Sequence, residues 1–302
     1  MKSTDALALA RSADPEVIAV ESVSRIASLW GGMGSIVRLR CETKTGGGST
    51  ANGTTSSTLI AKRIRCSNPR SFGDKRKAAS YEVEASFYGS EACRELSERH
   101  VCCRGLHTQD DGNGSITILM APLPNPTLHA MGGEVAKAAV RSVARLHAYF
   151  WGDAASTRAV ERIGLAAQGT YWYLDTRPDE YEWMDGRTGI SRRLKRAARG
   201  IDRALKCHEY QTICHGDLKA CNMSLSEDPN FVTFVDFQYL GRACPCKDLA
   251  YLFVCGMDVD EDFEEKQEDE LLRLYIEELA ANGVGDDREA PLPKLEKLKH
   301  AL

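Results

Sequence analysis

The sequence predicts an α+β protein in two parts, strand-rich over residues 1–121 and helix-rich over 122–302. Three observations carry this reading. Short apolar runs separated by Gly-, Ser-, Thr- and Asn-rich turns dominate the chain up to Met120. Pro122, Pro124 and Pro126 then crowd five positions and block both helix and sheet continuation. Beyond them apolar residues recur at helical spacing, and no internal repeat is present.

The bulk properties narrow the function classes. The 302 residues are 43% hydrophobic and 27% charged, enough to bury a core without disulfides. With 39 basic and 43 acidic residues the net charge is −4, which argues against a nucleic-acid partner. The longest apolar run, Leu249–Met257, is far short of the roughly 20 residues of a membrane span, so no membrane partner is expected. Asp5, Arg11, Asp14 and Glu16 surround the short N-terminal Ala/Leu stretch, which does not read as a secretory leader. Eleven cysteines, odd in number and irregularly spaced, read as reduced thiols of a cytoplasmic protein. Cys102-Cys103 and Cys244-Pro245-Cys246 lack a paired Cys-x-x-Cys or a histidine at ligand spacing, against a zinc site. Oligomeric state leaves no signature.

The elements follow in order. Ser35–Cys41 and Thr58–Ile64 are strand-like runs, and the Thr/Gly/Ser/Asn stretch over 43–58 joins them as an expanded hairpin turn. Gly31-Gly-Met-Gly34-Ser35 precedes the first run, and a glycine turn there lets backbone N–H groups approach a phosphate. Asp110–Gly114 is a turn, and Ile116–Met120 the strand after it. Glu134–Tyr149 places Val135, Ala138, Ala139, Ser142, Val143 and Leu146 on one helical face. Within Arg187–Lys206, Ile190, Leu194, Ala197, Ile201 and Leu205 predict a helix packed through that face, with Arg192, Arg193, Lys195, Arg196, Arg199 and Arg203 outward. A further helix runs from Glu268 through Leu279 to the stop signal Asn282-Gly283, and Leu292–Leu302 reads as another. Asp258–Glu270 holds nine acidic residues and one lysine. That stretch reads as a solvated helix face with its preceding loop, or as a rim attracting a cationic substrate.

The chemistry concentrates in Ile213-Cys-His-Gly-Asp-Leu-Lys-Ala-Cys-Asn-Met223, followed by Phe234-Val-Asp-Phe-Gln238. Phosphoryl transfer from ATP needs a carboxylate to orient and deprotonate the attacking hydroxyl. It also needs an amide oxygen and a second carboxylate to hold Mg2+ against the phosphates. Asp217 and Asn222, five apart on one loop, can supply the base and a metal ligand. Asp236, ending the apolar strand Phe231–Val235, can supply the second carboxylate. His215 is read as bracing the loop by hydrogen bonds, and Cys214 and Cys221 as small buried residues flanking it.

His-Gly-Asp-x-x-x-x-Asn, then Asp-Phe-Gln, then Asp248-Leu-Ala-Tyr251 resembles the aminoglycoside phosphotransferase and choline kinase superfamily, most of all its ecdysteroid-kinase-like branch. Gln238 after the Asp-Phe pair and Arg145-Leu-His-Ala-Tyr-Phe-Trp151 match that branch. The resemblance spans roughly residues 30–255. It implies a bilobal protein-kinase-like fold, with a small antiparallel-sheet N-lobe carrying one main helix and a larger helical C-lobe. It also implies ATP and Mg2+ as cofactors.

The same resemblance assigns further residues. Lys62, in Leu59-Ile-Ala-Lys-Arg63, would pair with the α- and β-phosphates. Tyr81-Glu-Val-Glu-Ala-Ser-Phe-Tyr88 is similar to the family's Glu-x-x-Phe-Tyr helix, which picks out Glu84 as the partner of Lys62, with Glu82 second. Gly31, Ser35 and Arg38 resemble the family's Gly-x-x-x-Ser-x-x-Arg run, with Gly34 inside it as a further glycine of the phosphate turn. The adenine would meet backbone near Met120–Leu123, where Pro122 removes one donor. Lys219, two past Asp217, matches the lysine that reaches the γ-phosphate in protein kinases.

Only eleven residues separate Asp236 from Asp248 and no Ala-Pro-Glu follows, which leaves no peptide platform and points to a small-molecule hydroxyl as acceptor. Asp248 is read as a brace of the catalytic core. Tyr171, Trp172, Tyr173, Tyr181 and Trp183 read as ordinary helix packing or as an aromatic cage for a quaternary ammonium. Choline-like, aminoglycoside, sugar and steroid acceptors stay open. So do a non-catalytic kinase-like ATP-binding protein and, behind it, a protein kinase. Against the family pattern the chain ends early, at Leu302, which leaves a short natural member, a truncated gene model and a fragment all open.

Overall fold

The structure is a computed structural model and describes residues 3–44, 54–66, 69–187, 189–257, 265–286 and 291–302. The middle of the expected 43–58 turn and the first part of the acidic stretch, 258–264, lie outside the described residues. The chain divides into two compact units, Met1–Pro124 and Asn125–Leu302.

In the first unit a helix, α1 (Ser3–Ala13), leads into β1 (Val17–Ser28), β2 (Gly34–Lys44) and β3 (Thr54–Arg65). Helices α2 (Phe72–Tyr88) and α3 (Glu91–Glu98) follow, then β4 (Gly105–Asp110) and β5 (Ser115–Met120). The five strands form one antiparallel sheet in the order β1-β2-β3-β5-β4. Strand alternation sorts the two faces. Val37, Leu39 and Cys41 of β2 are buried with Leu59 and Ala61 of β3, Leu119 of β5 and Ala10 of α1, while Arg38 and Arg40 are exposed. Lys62 is out of phase with Leu59 and Ala61, so the pleat turns it to the opposite face.

Helix α2 is started by a capping box. The Ser71 Oγ accepts from the Asp74 N–H at 3.0 Å, and the Asp74 carboxylate accepts from the Ser71 N–H at 3.0 Å. These bonds hold the Asp74 carboxyl below its ordinary range. Ser80, Tyr81, Glu84, Phe87 and Tyr88 form the buried stripe of α2, and Glu82 is exposed.

The second unit contains α4 (Gly133–Tyr149), α5 (Asp153–Ala159), α6 (Pro178–Trp183) and α7 (Gly189–Lys206). Short strands β6 (Thr212–Cys214), β7 (Met223–Leu225), β8 (Val232–Phe234) and β9 (Gly241–Ala243) follow, then α8 (Cys246–Cys255), α9 (Glu265–Ala281) and α10 (Leu295–Ala301). Strand β6 pairs with β9 and β7 with β8, both antiparallel. Helix α4 packs on α9, and its motif residues are structural. Arg145 Nε donates to Glu278 at 2.9 Å with its guanidinium over the Phe231 ring, and Trp151 Nε1 donates to the Pro291 carbonyl at 3.2 Å.

Two expectations are corrected here. Helix α7 forms as the periodicity predicts but buries none of its residues; Ile190, Leu194 and Ile201 are 69%, 50% and 48% exposed. Amphipathic spacing sets which residues share a face, not which face meets a neighbour. Cys221 is exposed, whereas Cys214 is buried; the one-turn helix over Ala220–Asn222 turns position 221 outward between buried neighbours. All eleven thiols are free.

Candidate functional site

The β7–β8 hairpin sets the geometry of the centre in the second unit. Its register pairs Met223 with Phe234, and the Val235 N–H donates to the Asn222 carbonyl at 3.0 Å. Asn222 and Asp236 thus emerge at the same end of one short ladder. Asp236 has a left-handed backbone, φ 67°, an unfavourable conformation for a residue with a Cβ. Its carboxylate accepts a hydrogen bond from the Gln238 side-chain amide.

The Asn222 Nδ2 donates to the Asp217 carbonyl at 2.9 Å and to Asp217 Oδ2 at 3.1 Å. Both bonds use the amide nitrogen, so the Asn222 Oδ1, met by the Cys221 thiol at 3.9 Å, is the atom that can turn to a ligand. That oxygen and the Asp236 carboxylate are hard donors of the kind Mg2+ takes. Lys219 Nζ lies 2.8 Å from Asp217 Oδ2. Partial burial depresses the Lys219 pKa, but the bond to Asp217 outweighs it and the net shift is upward, so the ammonium is retained.

The loop is braced from beneath. Asp248, fully buried, accepts from the His215 N–H at 2.7 Å, the Gly216 N–H at 2.8 Å and His147 Nε2 at 3.2 Å. Burial pushes its carboxyl up, but the His147 bond and charge and the loop N–H groups more than reverse this, and the net shift is downward. His215 Nδ1 accepts from the Asp217 N–H at 3.3 Å, so its Nε2–H is the donor to the Val235 carbonyl at 3.0 Å. His147, Cys214 and Asp248 come within 4.8 Å of one another, but Asp248 and His147 are committed to hydrogen bonds, His147 Nδ1 meeting the Tyr275 hydroxyl at 2.8 Å. Those bonds account for the cluster without a metal.

Tyr251 is a functional candidate that the sequence reading quoted in a motif without assigning a role. Its hydroxyl lies close enough to Asp217 and Trp172 to feel both electrostatically. Burial, then the Asp217 charge, push its pKa far above the ordinary tyrosine range, so it stays a donor. The signal was present: Tyr251 lies three past Asp248 on α8, one turn along the same helix face. The Arg177 guanidinium sits 4.5 Å over the Tyr171 ring and 4.2 Å over Trp172, and pairs with Glu180. Trp183, another member of that aromatic group, is 81% exposed.

The first unit holds the other predicted residues. Lys62 Nζ donates to both Glu84 oxygens, at 2.9 and 2.7 Å, and both side chains are buried. Breaking such a pair leaves a charge buried without a counter-charge. Glu84→Ala is therefore expected to destabilise the protein by about 3–5 kcal/mol in urea unfolding, and a cost below about 1 kcal/mol would contradict this account. Gly31, in the turn between β1 and β2, has φ 66°, Gly34, which opens β2, has φ 148°, and Ser35 beside it pairs with Ser28. A Cβ on Gly34 would fall 2.0 Å from the Arg63 carbonyl, so close packing alone demands glycine there. Met120 ends β5 and is buried, and Leu123 is half-buried. The Ala121 N–H is committed to the Arg104 carbonyl at 2.9 Å.

The ecdysteroid kinase-like family model matches residues 182–283, the stretch from the end of α6 through α9 that carries Asp217, Asn222, Asp236 and Asp248. Lys62, Glu84 and the Arg145–Trp151 motif lie outside the matched stretch. No curated protein matches. Among solved structures, a macrolide 2'-phosphotransferase from Brachybacterium faecium is 16% identical, with 98% of this chain and 86% of that chain covered, at a TM-score of 0.55. An aminoglycoside phosphotransferase from Streptomyces rimosus, in complex with ADP and streptomycin, is 17% identical over 100% and 96% of the two chains, at a TM-score of 0.50. These likenesses show the protein-kinase-like α+β fold, an antiparallel-sheet unit followed by a helical one.

Proposed function

We propose that the chain transfers the γ-phosphoryl group of ATP to a hydroxyl of a small molecule. The observation that carries this is the loop–hairpin unit in which Asn222 and Lys219 both bond to Asp217 while Asp236 stands at the same end of the ladder as Asn222. Asp217 accepts the proton of the acceptor hydroxyl as its oxygen bonds to the γ-phosphorus, and the bond to the β–γ bridging oxygen breaks to release ADP. Lys219 holds the Asp217 carboxylate in place and is available to the γ-phosphate. Tyr251, near enough to sense the Asp217 charge, is available to orient it. Lys62, fixed by Glu84, is the residue for the α- and β-phosphates. Asn222 Oδ1 and the Asp236 carboxylate would hold Mg2+, which when bound neutralises charge on the transferring phosphoryl group.

Two features bear on the acceptor. The eleven residues between Asp236 and Asp248 are spent on β9, which pairs with β6, and on the direct entry into α8. None remain to lay out a peptide. Arg177 already takes one face of Tyr171 and one of Trp172, which weakens that pair as a cage for a quaternary ammonium.

The test is ATP consumption against a panel of alcohols, amino alcohols, sugars and sterols, with product phosphate located on the acceptor. Wild-type protein is expected to phosphorylate at least one member, and Asp236→Ala to reduce that turnover by at least about 10²-fold. Full activity in Asp236→Ala would remove the metal-ligand assignment. A chain that binds ATP and phosphorylates nothing on the panel would favour the kinase-like binding protein.

A further inference from the structure

We propose that α7 is a membrane-surface helix, docking the second unit onto an anionic phospholipid interface. At about 100° per residue, Ile190, Leu194, Ala197, Ile201, Ala204 and Leu205 fall within one arc of roughly 120°. All seven basic residues of α7 lie outside that arc, and Asp202 is its one acidic residue, a net charge of +6 on eighteen residues. Strong amphipathicity, a cationic polar face and low overall hydropathy are the signature of a helix that lies in a lipid interface and does not cross it. Among the described residues no helix is long and apolar enough to cross a membrane.

The way α7 is attached leaves this face open. The helix is tied to its unit along the border between its apolar and basic sides. Lys195 Nζ donates to the Glu182 and Met184 carbonyls at 2.8 and 3.1 Å. The Tyr181 hydroxyl donates to the Lys195 carbonyl at 3.2 Å, and Lys206 pairs with Asp202 and Asp175 at 2.6 and 2.9 Å. Ser191, Lys195, Ala198, Asp202, Leu205 and Lys206 are half-buried along this border. Ile190, Leu194 and Ile201 point away from it and are solvent-exposed. The segment that Lys195 grips also presents Trp183 and Met184 to solvent, and an exposed indole is a favoured interfacial anchor.

Charge selects the occupant. A +6 helix with an apolar stripe complements a surface that is both negatively charged and hydrocarbon-backed. The long Arg and Lys stems can reach headgroup phosphates while the stripe enters the acyl boundary. A second copy of the chain would bring the same positive face and oppose itself.

The experiment is co-sedimentation of the full chain with phosphatidylcholine vesicles, with and without phosphatidylserine. Binding to the anionic vesicles is expected to be at least ten-fold tighter than to the neutral ones and to weaken with salt. Ile190→Ser/Leu194→Ser/Ile201→Ser is expected to lose it. Arg192→Gln/Arg193→Gln/Arg196→Gln, which spares the apolar stripe, is expected to lose the preference for anionic lipid and so decides the matter if the first variant does not fold. Absence of anionic-vesicle binding, or equal binding by both variants, would overturn the proposal. So would a concentration-dependent dimer that the first variant abolishes in a protein indifferent to vesicles.

Discussion

Asp217→Asn is expected to lower phosphoryl transfer by about 10²–10⁴-fold, the usual share of a positioned general base. Asparagine keeps the shape of aspartate and can still accept from Asn222 Nδ2 and Lys219 Nζ, which now lie 3.1 and 2.8 Å from Asp217 Oδ2. It cannot take up the acceptor's proton. The loss should therefore sit in kcat, with KM for ATP within a few-fold of wild type and the unfolding midpoint little changed. Steady-state kinetics of the best acceptor, alongside a urea titration, separate these quantities. Turnover within a few-fold of wild type would remove Asp217 from the role of base. A large loss of stability would mean that the Lys219 and Tyr251 contacts to its charge were structural.

Asp248→Ala is expected to destabilise the protein by about 3–5 kcal/mol, the cost of opening a buried, charge-assisted hydrogen-bond cluster. Its carboxylate is fully buried, and its removal strands the His215 and Gly216 N–H groups together with His147 Nε2. Each stranded donor loses its partner and carries the cost of an unsatisfied buried polar group. The same carboxylate sets an acid limit. Its folded pKa is depressed, so its contribution is fully present above the unfolded value near 3.9 and is lost as pH falls through the lower folded value. Urea unfolding at pH 7 and at pH 3 reads both effects. The variant should be weaker at neutral pH, and the gap to wild type should narrow in acid. A loss below about 1 kcal/mol, or a gap that widens in acid, would contradict this placement of Asp248.

Much of the local organisation was legible in the chain. The alternation Val37, Leu39, Cys41 against Arg38 and Arg40 defines one sheet face, and Lys62 falls out of phase with Leu59 and Ala61. The helical periods over α4, α7 and α9 are legible for the same reason, because each residue's face follows from its position in the repeat. The order His215, Asp217, Asn222, Asp236, Asp248 could be read because ligand and base spacing along one loop and one hairpin is a local property.

Other features needed the folded chain. Helix α1 and the burial of its Ala10 against Val17 and Leu39 left no strong pattern in an Ala/Leu stretch. Tyr251 reaches Asp217 from another element, and Arg177 covers Tyr171 and Trp172 only because the segment around 171–177 curls back on itself.

By itself, then, the amino-acid sequence determined the α+β class, the division into strand-rich and helix-rich parts, and the set of residues that the proposal draws on. Periodicity and short-range spacing are carried by consecutive residues, so they survive without coordinates. Only the tertiary structure decided which amphipathic faces are covered. The face of α4 is buried against α9, while the equally regular face of α7 is open to solvent. Burial is a property of pairs of surfaces distant in sequence, and one helix carries no record of whether a partner surface meets it.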